Sequence, residues 1–175
     1  CDSYYSSYNN TGVGFVMNTG NSNLGGWASS NMRTGTCGTS LSSYSSTIIA
    51  AIPAALRAVL KSVTKYTDNT GGGNPSANNV TATTDYFFLL SELEVFGSIS
   101  RANPNEASKQ AQYAYYSAGN SKIKYKHNGT AAAAIWWLRS PSTTTSNVFV
   151  DVTTGGTVGI NIAYYSLGFA PGFCV

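Results

Sequence analysis

Two carboxylates and one guanidinium stand inside the most apolar stretches of the sequence. Glu92 and Glu94 lie in Leu89-Leu90-Ser91-Glu92-Leu93-Glu94-Val95-Phe96, and Arg139 interrupts Trp136-Trp137-Leu138-Arg139-Ser140-Pro141. Paired carboxylates are what glycoside hydrolysis uses, one as acid and one as base or nucleophile. The competing reading is structural. Ser91 and Glu94 match a capping box, in which the hydroxyl accepts from the Glu94 backbone and the carboxylate reaches back. Glu92 or Glu94 would then pair with Arg139, because a charge inside an apolar strand must be neutralised. We assign Glu92, Glu94 and Arg139 to the structure.

Other reactive side chains are sparse. His127 is the sole histidine, in a Lys126-His127-Asn128-Gly129 turn, and Cys1, Cys37 and Cys174 have no metal-ligand spacing. One cysteine pair could form a disulfide, but an odd count argues against a disulfide framework, and Cys174 reads as a core thiol. No Gly-x-Ser-x-Gly elbow is present. For calcium, Asp151 with Asn147 or Asn161 is the one nearby oxygen-donor set. No catalytic residue, metal or cofactor is expected.

What must position these groups is a C-terminal frame. Ile135 to Pro141 and Gly168 to Val175 are apolar bookends around a Thr-, Ser-, Asn-, Gly- and Tyr-rich middle. Trp136, Trp137 and Phe173 are assigned to the core. Tyr164-Tyr165 reads as exposed aromatic contact, since Tyr offers large area at low conformational cost; packing against a neighbouring subunit is the alternative. The frame is expected to display a binding face.

Composition agrees with display. Only 10% of the 175 residues are charged, against about 25% ordinarily, and polarity comes from small hydroxyl and amide side chains and twelve Tyr. The net charge of +3 comes from scattered cations, which disfavours nucleic acid. No apolar run approaches the roughly 20 residues of a membrane span. The chain lacks an initiator Met and reads as a fragment or a processed product. Cys1 is then either the lipid-carrying residue of a mature bacterial lipoprotein or a trimmed end.

Along the chain, residues 1–24 are a polar, aromatic N-terminal segment, a strand or a link to an upstream region, in which the Val13 to Met17 patch reads as one or two strands. Residues 25–175 read as the domain proper. A short helix follows Gly26-Trp27, limited by Gly35 and Gly38. From Leu41 to Lys61, Ile48, Ile49, Ile52, Leu56, Val59 and Leu60 recur at helical spacing, with a break at Pro53. Residues 62–66 alternate like a strand, 67–79 form a loop, and Thr81 to Leu90 reads as a buried strand. Asn103-Pro104-Asn105-Glu106 opens a helix that ends near Gly119. Residues 121–125 form a short strand. Strands are expected at about 135–139, 147–152, 157–162 and 169–174, the middle pair a hairpin turning at Thr154-Gly155-Gly156-Thr157. Helices in the first two-thirds and a C-terminal antiparallel, hairpin-rich sheet make an α+β domain.

Trp136 to Pro141, with Gly168-Phe169-Ala170-Pro171-Gly172-Phe173, resembles an uncharacterised domain family of Firmicutes and gut phages with a C-type-lectin-like, formylglycine-generating-enzyme-like fold. Phe88 to Gly97 is similar to its second motif and Gly26-Trp27 with Ser30-Asn31-Met32-Arg33 to its first, although Thr34-Gly35-Thr36-Cys37 replaces the usual Trp-Leu pair. The likeness covers about residues 25–175. It implies a likeness to the variable proteins of diversity-generating retroelements, whose last strands and loops carry adenine-directed diversity. Thr143, Thr144, Thr145, Ser146, Asn147, Asp151, Thr153, Asn161, Ala163, Tyr164, Tyr165 and Ser166 all belong to the set of residues so reached, and they are the implied ligand-binding positions. Formylglycine-type oxidation would need a reactive cysteine pair, which Cys37 and Cys174 do not resemble.

The expected function is receptor binding through residues 143–166, at a phage fibre on the virion surface or on a bacterial cell surface. The partner would be a host cell-surface protein or glycan, with a homo-oligomer, such as a trimer, within a fibre. A virion decoration or oligomerisation domain without external ligand is the alternative, and a glycan-active enzyme the third reading.

Overall fold

The computed structural model describes residues 14–126 and 132–175. His127, the Asn128-Gly129 turn, Cys1 and Val13 lie outside the described residues, and Gly14 to Met17, the rest of the expected N-terminal strand, form no strand. The elements, in order, are α1 (Gly26–Ser29), α2 (Ile48–Ala51), α3 (Ala54–Arg57), β1 (Val63–Asp68), β2 (Val80–Asp85), β3 (Phe87–Phe88), α4 (Glu92–Phe96), α5 (Ala114–Ser117), β4 (Lys124–Tyr125), β5 (Ala133–Ala134), β6 (Trp136–Pro141), β7 (Val148–Val152), β8 (Val158–Ile162) and β9 (Gly172–Phe173). A π-helical turn at Met32–Cys37 and 3-10 turns at Ala77–Asn79 and Pro104–Ser108 complete the set. This is an α+β arrangement of small antiparallel sheets. Its helices are short turns on either side of β1 to β3 in sequence, so helix and sheet are not cleanly segregated along the chain.

β6 is the spine. It pairs antiparallel with β7, and β7 with β8, while a parallel bridge joins Trp136 to Gly168. Side chains on a strand alternate faces, and here the two faces enter different cores. Trp137 and Phe149 join Met17, Trp27, Met32, Phe87 and Leu167 on one side. Trp136, Leu138, Val150 and Val152 join Val95, Ala102 and Tyr116 on the other. With both faces covered, β6 and β7 are buried throughout and mostly apolar, broken by Arg139 and Ser140 in β6 and by Asp151 in β7. The indoles still find acceptors: Trp137 Nε1 donates to the Phe15 carbonyl at 2.9 Å, Trp136 Nε1 to that of Lys122 at 3.0 Å, and Trp27 Nε1 to Asp85 Oδ2 at 3.0 Å.

Local signals set some elements and fail at others. The capping box at Ser91 and Glu94 is present, and Gly97 ends α4 at φ 73°. Residues 41–61 keep only the one-turn helices α2 and α3. Ile52 is extended ahead of Pro53, as the pre-proline clash requires, and isolated helices this short do not sustain themselves. Val59, expected on the packed face, is exposed. The Thr81 to Leu90 strand divides into β2 and β3, and the helix expected from 103 to 119 divides into the 3-10 turn and α5.

Phe173 corrects the core assignment: it is 45% exposed. Gly172 lies over Phe88, where a Cβ would come within 2.8 Å of the ring, so alternation turns the next side chain outward. Phe173 instead covers Phe87, ring centroids 5.3 Å apart. Cys174 is half-buried and free, while Cys37 is a buried free thiol, its pKa pushed well up by burial and by the Asp85 charge.

Candidate functional site

The charged motifs converge on a closed network. Arg139 Nη1 meets Glu94 Oε2 at 2.5 Å and donates to the Leu89 carbonyl at 2.8 Å, Nε donates to Thr67 Oγ1 at 2.8 Å, and Nη2 to Gln110 Oε1 at 2.6 Å. Lys65 Nζ takes the other Glu94 oxygen at 3.0 Å. Burial raises the Glu94 pKa, but Arg139, Lys65 and the Ser91 N–H outweigh it and hold the carboxyl below its ordinary value. Glu94, not Glu92, is therefore the partner of Arg139. Glu92 is 1% exposed, and its carboxylate collects the backbone N–H groups of Ser100, Arg101 and Ala102 at 2.7–3.2 Å. It fixes the loop after α4.

Glu106 lies in the same network and had no sequence signal beyond its place in a first helical turn. It accepts from the Asp68 N–H at 3.0 Å, from Ser140 Oγ at 2.9 Å and from Gln110 at 3.2 Å. Burial pushes its carboxyl up to about 7 despite these donors. Glu92, Glu94, Glu106 and Arg139 are all buried, so no substrate-sized molecule reaches them in this conformation.

The second constellation is a cluster of loops at the far end of β6. Asn23, fully buried, donates through Nδ2 to the carbonyls of Ser142, Thr145 and Val148 at 2.9–3.2 Å, and its backbone N–H donates to Ser146 at 2.8 Å. Its Oδ1 accepts from the Gly72 N–H at 2.8 Å. One side chain thus binds three segments: 21–25, 69–73 and 142–148. Gly71, at φ 65°, is needed because a Cβ there would run into the Asn23 carbonyl. Asn147 Nδ2 reaches Asn21 Oδ1 at 3.2 Å, and the Ala163 N–H donates to the Asn147 carbonyl at 2.9 Å, which brings in the segment after β8. Asn23 looked like any other loop amide in the sequence.

The twelve expected ligand positions do not form one surface. Thr144, Thr145 and Ser146 are exposed, and Thr143, Asn147, Asn161, Tyr164 and Tyr165 are half-buried beside them or along β8. Thr153 lies at the opposite end, in the β7–β8 turn, bonded to Thr157. Asp151, Ala163 and Ser166 are buried; β7 alternation and the turn after β8 point them inward, which removes them from a display face. Tyr164 and Tyr165 pack edge to face at 5.3 Å, and Tyr165 leans on the core.

Asn161 Nδ2 donates to Asp151 Oδ2 at 2.8 Å, a donor facing the carboxylate where a cation would need an oxygen, and Asn147 serves the loop. Asp151 Oδ1 is buried without a partner, and burial pushes its carboxyl up to about 7. Among the described residues, no three His, Cys, Asp or Glu gather as a metal site.

A family described as a domain of unknown function (DUF6273) matches residues 15–175, from the strap over Trp137 to the last residue. The chain belongs to that family. The matched span of the DUF6273 domain takes in both cores, the Arg139 network and the Asn23 loop cluster. No curated protein and no solved structure matches it. No helix among the described residues is long and apolar enough to cross a membrane.

Proposed function

We propose that this DUF6273 domain is a ligand-display domain that binds a host cell-surface protein or glycan through the 143–147 loop, with Asn161, Tyr164 and Tyr165 at its border. The observation that carries this is the anchoring of that loop by its carbonyls: Asn23 holds residues 142, 145 and 148 through main-chain oxygens, while Thr144, Thr145 and Ser146 stay exposed. A loop held by its backbone tolerates side-chain change, which is what a diversified binding surface requires. The C-type-lectin-like assignment, the Firmicutes or phage origin and the placement on a fibre or a bacterial surface belong to this reading, and rest on the Trp136 to Pro141 and Gly168 to Phe173 motifs. The enclosure of every carboxylate in the Arg139 network supports a role without catalysis.

The test is cell binding by the labelled domain. Replacing Thr144, Thr145 and Ser146 together by Ala should abolish binding with the melting temperature unchanged, and Tyr164→Ala should weaken it. Binding that survives the triple replacement refutes the reading. A virion decoration or oligomerisation role draws support from Leu24, 64% exposed beside the same loops. It predicts a loss of oligomer, by sedimentation, on Leu24→Ser and no cell binding by either form.

A further inference from the structure

A second concave surface lies at the opposite end of β6, where α5 meets β9. It is a groove of about 450 Å³ floored by Phe88 and Gly172 and walled by Tyr113, Tyr115 and Phe173, with Lys124 at one end. That volume lies within the roughly 300–1,000 Å³ of small-ligand sites. A smaller hollow of about 360 Å³, also lined by Lys124, runs along Ala170 and Pro171. Lys124 lies against Trp136, at the end of β6 away from the 143–147 loop.

Three rings in the groove face solvent: Tyr115 is 59% exposed, Phe173 45% and Tyr113 38%. Each is held in place. The Tyr113 hydroxyl accepts from Lys65 Nζ at 2.6 Å, and Lys65 is itself bound to Glu94 and lies 4.0 Å from the Phe88 ring centroid. Tyr115 stands edge-on to Tyr116 at 5.1 Å. Phe173 rests on Phe87. Rings ordered before binding give up little entropy when a ligand arrives.

Of the lysines near the groove, Lys124 is in its lining, whereas Lys65 and Lys122 stand beside its rings, Lys122 Nζ 5.9 Å from the Tyr116 ring centroid. Lys65 is ion-paired with Glu94, a carboxylate it shares with Arg139. Lys124 has no carboxylate partner among the described residues; its Nζ lies 5.0 Å from the Trp136 ring centroid, and burial lowers its pKa. A half-buried ammonium without a carboxylate partner favours an anionic guest.

We infer that this groove is a separate binding site for a carboxylate-bearing pyranose, a uronic- or sialic-type residue of a glycan, with the sugar's C–H face on Tyr113, Tyr115 and Phe173 and its carboxylate on Lys124. Ring-sized aromatic faces around one cation match one charge per sugar ring. An acidic peptide would call for several cations or a free strand edge, and the edge beside β9 is taken: the Lys61 N–H donates to the Cys174 carbonyl at 2.9 Å.

Calorimetric titration of the whole chain tests this with trigalacturonate and 3′-sialyllactose, against the methyl ester of trigalacturonate and lactose as neutral counterparts. At least one acidic probe should bind about tenfold or more tightly than its neutral counterpart, and which one binds tells uronic from sialic recognition. Lys124→Gln should remove that preference, and Tyr115→Ala should weaken acidic and neutral probes alike, both with an unchanged melting temperature. The Ala replacement of Thr144, Thr145 and Ser146 should leave sugar binding intact, so failure here and failure of the loop reading are distinguishable. Equal binding of acidic and neutral probes, no binding at millimolar concentration, or full acidic preference in Lys124→Gln would overturn the proposal. So would competition by hexaglutamate at equal strength, or a dimer dispersed by Phe173→Ser.

Discussion

Arg139 shows how much one buried side chain can carry. Its guanidinium touches β1 through Thr67, the turn before α4 through Leu89, α4 through Glu94, and the segment after the 3-10 turn through Gln110. Removing it leaves Glu94 buried beside Lys65 alone. Arg139→Ala should cost about 3–5 kcal/mol, read as a lowered urea midpoint, and in a small domain that approaches unfolding. Arg139→Lys should recover less than half of the loss, because an ammonium cannot serve four planar-fork contacts. A folded Arg139→Ala of native midpoint, deficient only in binding, would contradict the structural role. The arginine and its need for a carboxylate were legible in the sequence. The choice of Glu94 over Glu92 was not, since both sit in one helical turn and only the approach of β6 selects between them.

At the scale of elements, the loop cluster and the β3–β9 pair invite mutation. Asn23→Ala removes the Nδ2 amide that donates to three carbonyls of the 142–148 segment and the acceptor of the Gly72 N–H. At about 1 kcal/mol for each bond, a loss of about 2–4 kcal/mol is expected. Hydrogen exchange should localise it, since Asn23 and Ser146 share a backbone bond whose amide should lose protection. Gly172→Ala would press a Cβ to 2.8 Å from the Phe88 ring, splaying β9 and lowering the melting temperature while the 143–147 loop keeps its binding. Hairpin β7–β8 was legible from alternation and a Gly-Gly turn, and α4 from its cap, because both signals are local. The 41–61 segment was misleading. Its apolar spacing is helical, but packing of Ile48, Ile49 and Ile52 against the first core is satisfied by separate turns around Pro53.

Across the whole molecule, buried carboxyls set the pH dependence of stability. Burial pushes Glu106 up to about 7 from 4.5 and Asp151 up to about 7 from 3.8. Folded, both hold protons that the unfolded chain releases, so their effect is destabilisation that grows as pH rises from about 4 to about 7. Glu94 runs the other way: its depressed value supports the fold above 4.5, and that support is lost as pH falls through the folded value. Urea midpoints should therefore peak near about pH 5 and decline toward pH 8. Asp151→Asn keeps an oxygen for Asn161 and discards the charge, so it should raise the midpoint at pH 8 and flatten the decline. An unchanged pH profile in that variant would place the dependence elsewhere.

Composition, the capping box, the C-terminal hairpin and the two Trp-rich and Gly-rich bookends were set by local patterns, because caps, turns and strand alternation involve neighbours along the chain. Which side of a bookend faces inward was decided in three dimensions. Gly172 nestles on Phe88 and turns Phe173 outward; β7 turns Asp151 inward; and Asn23, more than a hundred residues away in sequence, holds the 142–148 loop. The same folding brings Tyr113, Lys124 and Phe173 to one groove. Those meetings depend on contacts between distant segments, whose geometry no local pattern encodes.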